Sequence, residues 1–513
     1  MFLTNIYEIK VMKKAQFSGY PENSLSQILR MVLILFFTIL CISASSQIHK
    51  LYIGAAEGNI TPVLPVALNG QFNMRIAKSI STPLLANVVA LEMREGERSV
   101  DQAIFVSCDL VGIPVVLTEM VRKQVHEQVP EIDVKKIILN ATHTHTAPVF
   151  QSGFYAIPKQ GVSQPEEYQQ LFAQRVTDAI VKAWKTRNPG SVTWGLTTAV
   201  VGHNRRAVYT NGTAEMYGNT NVPEFQNFEG YEDHDVNSLF FWNNSGKLIA
   251  TSIEVPCPAQ EVEQDTTVNA DYWHAVRVSL KKQLGSDLLV MGWIGAAGDQ
   301  SPHLMYEKKA EERMRTLSKT SRIDAIAKRI VHAVDEAYET VKNDRHADAI
   351  LSHKQEILTL PGRVVSEKEF KNAKAICDEI AVQMAANPKL AEKLETKKNW
   401  NGSILSRYEK QRENPNPTFD TEIHVLRLGD IAICTNQFEL FTDFGIRMQT
   451  RSKALQTFVV QLAGAGSYLP TAKAMAGGGY SAVPQSNQVG AEGGQILVDR
   501  TLELISNMWP ETK

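Results

Sequence analysis

Two histidines one residue apart, in Asn140-Ala-Thr-His143-Thr-His145-Thr-Ala-Pro148, carry the strongest chemical signal in this chain. The apolar run Lys136–Asn140 predicts a buried strand leading straight into them, and residues i and i+2 of extended chain point the same way. Two imidazoles so placed can face one cation or one substrate. Histidine is scarce, 12 in 513 residues, which gives the pairing weight over a chance surface pair.

Three further segments offer reactive groups. In Trp293-Ile-Gly-Ala-Ala-Gly-Asp299-Gln-Ser301-Pro an apolar strand ends in a glycine-rich turn, where small residues let backbone approach a ligand; Ser301 there is a nucleophile, an oxyanion donor or a turn residue. In Gln437-Phe-Glu439-Leu-Phe a carboxylate stands among aromatic residues at the start of an amphipathic helix. Such a group is costly to bury unless it is paired or metal-bound. Gly477-Gly-Gly-Tyr480 places a phenol on a loop.

The elements that must position these groups read as layered α/β structure. Short apolar runs at Leu51–Gly54, Val88–Met93, Ala103–Cys108 and Lys136–Asn140 are predicted strands, with a helix over Pro114–Gln128 between two of them. A second helix is predicted over Glu166–Thr186, a strand over Ser191–Val201, and a hairpin over Ser238–Glu254 turning at Asn243-Asn-Ser-Gly246. Asp271–Leu284 reads as helix and Leu288–Ile294 as strand. The charged stretches Lys308–Lys342 and Ser366–Gln411 read as a helical insertion over about 305–420, the first with a stripe of Ile323, Ile326, Ile330 and Val334. Strands return at Glu422–Leu428, Ile431–Thr435 and Thr457–Leu462, before a terminal helix over Gly494–Met508.

Composition bounds the function. At 43% hydrophobic and 21% charged, with a formal net charge of −2, the chain has a globular balance and no basic footprint for nucleic acid. Val32–Ser43, preceded by lysines and Arg30 and followed by Ala44-Ser-Ser46, has the layout of a signal peptide; a dozen apolar residues fall short of the about 20 that span a bilayer. Residues 1–46 are therefore expected to be an N-terminal extension and signal peptide, and the mature protein to be secreted or periplasmic. No second run suggests a membrane span, so membrane contact would be at the surface, and the partner a small molecule or lipid.

In chain order, these segments resemble the neutral/alkaline, non-lysosomal ceramidases, secreted zinc amidases that cleave the N-acyl bond of ceramide. Ile53-Gly-Ala-Ala-Glu-Gly-Asn-Ile-Thr-Pro62 is similar to that family's first strand, Ser107-Cys-Asp-Leu110 to a core strand, and Ala141–Pro148 to its zinc segment. His203-Asn-Arg-Arg206, Gly298-Asp-Gln-Ser-Pro302, Phe438-Glu-Leu-Phe441 and the loop ending at Tyr480 follow in the family's order, over about 50–505. The resemblance implies a layered α-β-β-α catalytic domain over 48–510 and a Zn2+ cofactor. It assigns zinc ligation to His143, Glu439 and Tyr480, and catalysis to His145, Ser301 and Arg205. One position departs. The second histidine ligand, expected before a proline after the strand Leu248–Val255, is replaced by Cys257, whose thiolate is expected to bind the metal instead, with Asp271 as a supporting carboxylate. The β-sandwich that follows in larger members is not expected here, which points to amide hydrolysis with a substrate other than ceramide.

Overall fold

From Leu85 to Met93 every residue is buried, and neighbours face opposite sides. Val88 and Ala90 pack among residues of two helices, whereas Val89 and Leu91 pack against a second sheet. A strand with both faces covered belongs to a sheet between two layers.

The computed structural model describes residues 49–509; the expected signal peptide lies outside them. The larger sheet contains β1 (His49–Asn59), β2 (Leu85–Glu95), β3 (Arg98–Cys108), β4 (Ile137–Ala141), β5 (Asn188–Thr198), β6 (Asp235–Asn243), β7 (Leu248–Val255) and β8 (Leu289–Ile294). Their spatial order is β8-β7-β6-β5-β1-β2-β3-β4. The inner pairs are antiparallel, and the two outer pairs, β3 with β4 and β7 with β8, are parallel. The smaller sheet runs β9 (Leu351–Pro361), β10 (Thr418–Leu428), β11 (Ile431–Thr435), β12 (Gln456–Val460), and its last pair is also parallel.

Between the sheets lies a core in which Val89, Leu91 and Phe105 meet Leu426, Ile433 and Phe458. One half of the larger sheet's outer face is covered by α1 (Val115–Gln128) and α2 (Pro165–Lys185), through residues such as Leu117, Val121 and Phe172. The other half is covered by α3 (Tyr272–Leu284) and, beyond the exposed α4 (Lys308–Ser318), by α5 (Arg322–Val341), whose Ile326, Ile330 and Val334 are buried. The helices α6 (Glu367–Ala386) and α7 (Ala391–Glu413) form a hairpin with its own small core of Val365, Ala373 and Ile404. Outside the smaller sheet lie α8 (Thr442–Arg451), the short α9 (Ala472–Gly477) and α10 (Ala491–Met508). The layers are α-β-β-α, as expected. Among the described residues no helix is long and apolar enough to cross a membrane.

The stretch 305–420 differs from a purely helical insertion. It contains β9, the 11-residue edge strand of the smaller sheet, and its first long helix, α5, belongs to the outer layer. Burial along this edge strand explains why it is hard to read. The buried positions change parity along it, from Leu351 and His353 to Leu358 and Leu360, with the polar Lys354, Gln355 and Glu356 between, so no single period of two runs through the strand.

Candidate active site

Five of the segments around the site share one topological feature: each leaves the carboxyl end of a parallel-paired strand. The histidine segment follows β4, the loop 256–263 follows β7, Gly295–Ser301 follows β8, Glu439 follows β11, and residues 461–468 follow β12. Parallel ends open clefts for ligands. Here a cleft of about 680 Å³ has His143, His145, Glu439, Tyr468 and Tyr480 in its walls and floor.

The chain does not stay extended through the histidine pair. His143 adopts φ 65°, a left-handed conformation that costs a residue with a Cβ about 1–3 kcal/mol and is tolerated where surroundings enforce it. They do so through Thr142, whose N–H bonds Cys108 O, and through Thr144 and Thr146, whose hydroxyls both donate to Asn269 O at 2.7 Å. The threonines thus anchor the turn while both imidazoles face the cleft. Behind them Asp109 accepts the hydroxyl of Thr142 and forms a buried two-point ion pair with Arg277 of α3, at 2.6 and 2.9 Å.

Hydrogen-bond partners fix the histidine protons. His143 Nδ1 lies 2.5 Å from Val111 O, which can only accept, so in the neutral ring Nε2 presents its lone pair to the site. Arg205 Nη1 donates to Gln260 Oε1 at 3.0 Å, so the Gln260 amide nitrogen must be the group that donates to His145 Nε2 at 2.8 Å. His145 is then neutral with its proton on Nδ1, facing Glu263 Oε2 at 3.4 Å. Burial, with His143, Arg75 and Arg205 nearby, holds its pKa well below the usual histidine value, in agreement. His143 Nε2 lies 3.2 Å from His145 Nε2 and 3.5 Å from Glu439 Oε2. Acceptors therefore face acceptors on the cleft floor.

Arg205 is buried beside them. Its Nη atoms donate to Tyr217 Oη, Gln260 Oε1, Gly298 O and Tyr468 Oη at 3.0–3.3 Å, and its Nε–H meets no acceptor among the described residues. Tyr468 in turn hydrogen-bonds Glu439, whose carboxyl is held below its usual pKa: burial opposes the charge, but His143, when its Nε2 carries a proton, and Arg205 outweigh it. Asp299 ties these loops together. One carboxylate oxygen accepts the N–H and hydroxyl of Thr442, at 2.8 Å each, and the other accepts Asn204 Nδ2 at 3.2 Å. Gly298 has no room for a side chain, since a Cβ would stand 2.3 Å from Glu439 O.

His143, His145, Glu439 and Arg205 are thus brought together as expected. Ser301 is fully buried behind Arg205, on a two-residue strand paired with His203; its Oγ accepts the N–H of His303 at 3.2 Å, and it is not in the cleft wall. Tyr480 sits at the rim, 39% exposed, packed edge-on against Tyr468 at 5.7 Å. Tyr468 is the phenol that reaches Glu439. Cys257 lies within the core under α3, its Sγ 3.6 Å from Pro258 O, and burial with Asp271 nearby drives its thiol pKa well up, so it stays protonated. No contact joins it to His143 or Glu439. Asp271 caps α3 and accepts the N–H of Val262, bracing the loop that carries Gln260. Gln260, Glu263 and Tyr468 escape the sequence reading; the signal that locates them is position, each following a parallel-paired strand as the recognised groups do.

The donor set suits a zinc-type ion in kind: an imidazole nitrogen, a carboxylate and a phenol, with His143 Nε2 and Glu439 Oε2 near the about 3.3 Å edge of a tetrahedral site. Among the described residues, histidine, cysteine and carboxylate side chains alone form no cage of three, so a set around His143 and Glu439 would draw on Tyr468.

No protein-family model matches the chain, and no curated protein matches it. Solved structures do. The neutral ceramidase from Pseudomonas aeruginosa aligns with TM-score 0.65 and 17% identity over 90% of this chain and 76% of its own. A ceramidase complexed with C2 aligns with TM-score 0.63 and 15% identity over the same shares. These likenesses establish a shared fold.

Proposed function

We propose that this chain is an exported, zinc-dependent hydrolase that cleaves an N-acyl amide bond of an uncharged small-molecule or lipid substrate. The observation that carries the reading is the cleft floor, where the acceptor atoms His143 Nε2, His145 Nε2 and Glu439 Oε2 meet beside a buried arginine. Zinc held by His143, Glu439 and Tyr468 would supply a Lewis acid for the amide carbonyl. The chain's own residues supply the rest. The Arg205 Nε–H, which meets no acceptor among the described residues, would stabilise the carbonyl oxygen as it gains charge. His145 Nε2 would take the proton of the attacking hydroxyl and pass it to the leaving nitrogen, while Glu263 beside Nδ1 steadies the imidazolium. That hydroxyl is water's, because Ser301 is buried outside the cleft wall; an acyl-enzyme burst would instead implicate Ser301. Export rests on the apolar run Val32–Ser43.

The test is hydrolysis by residues 48–513 of ceramide, N-acetyl sugars and simple esters, with zinc supplied and with a chelator. Chelator-sensitive amide cleavage supports the reading; no turnover of any of them with zinc restored overturns it. Gln260, capping His145 Nε2, favours one rival, an exported binding protein that kept the fold without turnover. Binding of these compounds without cleavage would establish that rival.

A further inference from the structure

Asn399, Trp400 and Asn401, consecutive on α7, reach across the mouth of the cleft. Asn399 Nδ2 donates to Gly153 O at 3.1 Å on one wall, and Asn401 Oδ1 accepts Gln485 Nε2 at 3.1 Å on the other. Between them the Trp400 indole stacks on Tyr480 with ring centres 5.7 Å apart and meets Phe72 edge-on at 5.4 Å; Phe72 also meets Tyr480 at 5.9 Å. The three rings form one apolar group in the cleft wall. From behind, Arg407 fixes the helix through Pro484 O and Asn487 O. Apart from the histidines and Glu439, the cleft wall has no charged side chain, which suits an uncharged substrate with an apolar arm.

We infer that Trp400 is a specificity-determining residue that limits the length of that arm. An arm running outward from the floor meets the Phe72–Trp400–Tyr480 group, and to pass it must displace an indole stacked on one side and tied through both chain neighbours. Short acyl groups end before the barrier. The hairpin of α6 and α7, whose small core is separate from the main layers, therefore acts on substrate choice without touching the reacting atoms.

The inference rests on the amide-hydrolase reading, and its test separates the two. Rates are measured for neutral N-acyl amides of one amine, from acetyl to palmitoyl, with wild type, Trp400→Ala and Trp400→Phe, after circular dichroism has shown all three folded. Trp400→Ala should raise the ratio of kcat/KM for palmitoyl over acetyl by about tenfold or more, with Trp400→Phe between. Equal ratios in wild type and Trp400→Ala overturn the inference. If wild type cleaves none of them, the hydrolase reading fails, and binding decides the inference: the same amides displace a neutral fluorescent naphthylamine. The long amides should then bind Trp400→Ala about tenfold more tightly than wild type, and equal affinities overturn it.

Discussion

The Nε2 atoms of His143 and His145 face each other at 3.2 Å, and the partners of both rings leave a lone pair on each. Glu439 Oε2, 3.5 Å from His143 Nε2, adds a third acceptor. Such a cluster is repulsive until a cation or proton enters it. The expected outcome is about one zinc per chain in protein dialysed against zinc and then buffer, and a loss of affinity of tenfold or more in His143→Ala and in Glu439→Gln. Metal content by atomic emission checks it. Full retention in both variants would remove these residues from the ligand set.

Cys257→Ala should leave that metal content unchanged. The thiol is buried under α3 with its pKa driven up, which disfavours the thiolate a metal needs, and it touches Pro258 rather than the cleft. Its loss should instead cost about 1 kcal/mol of stability through a small cavity, read from denaturant unfolding. Loss of zinc from this variant would restore the cysteine as a ligand.

Gly70 adopts φ 98°, and a Cβ there would stand 2.5 Å from His145 Cγ. Gly70→Ala therefore strains the backbone by about 1–2 kcal/mol and pushes the His145 ring off Gln260. Activity should fall on the order of a hundredfold while zinc is retained, because His143 and Glu439 are not disturbed. Unchanged kcat/KM would show that His145 need not hold this position.

How far the sequence alone reached follows from where each signal lies. Helices with one continuous apolar face, such as α2 and α5, are legible because burial on one side imposes a period, and β4 is legible as a short apolar run because both its faces are buried. The hairpin β6–β7 was legible from its turn, whose Asn243 side chain accepts the N–H of Ser245 and of Lys247. β9 was not, since the buried positions of this edge strand change parity partway along it. In the site, His143 and His145 were legible as a pair, but the left-handed turn at His143 was not, because only the three threonine anchors and Asn269, far along the chain, dictate it. Tyr480 looked a better phenol than Tyr468 for a similar reason: one glycine-flanked loop residue resembles another until Arg205 and Glu439 are seen to share Tyr468.

Asp271 supplies a pH signature independent of catalysis. It is buried at φ 54°, capping α3 through Tyr272 N–H and holding Val262 N–H, and burial raises its pKa to about 7 despite those two bonds. The unfolded chain releases this proton near the ordinary aspartate value. Between the two values the folded state holds one proton more, so this group's contribution to stability declines as pH rises, by up to about 1.4 kcal/mol per unit, and levels off above pH 7. Asp271→Asn keeps a residue that tolerates the left-handed backbone and removes the titration. It loses one acceptor for Val262, a penalty that does not vary with pH. The variant should therefore gain on wild type as pH is raised from 5 to 8. Thermal unfolding midpoints at the two ends of that range test this. A constant difference between the proteins would show that Asp271 is ionised in the fold, and that burial does not govern its proton.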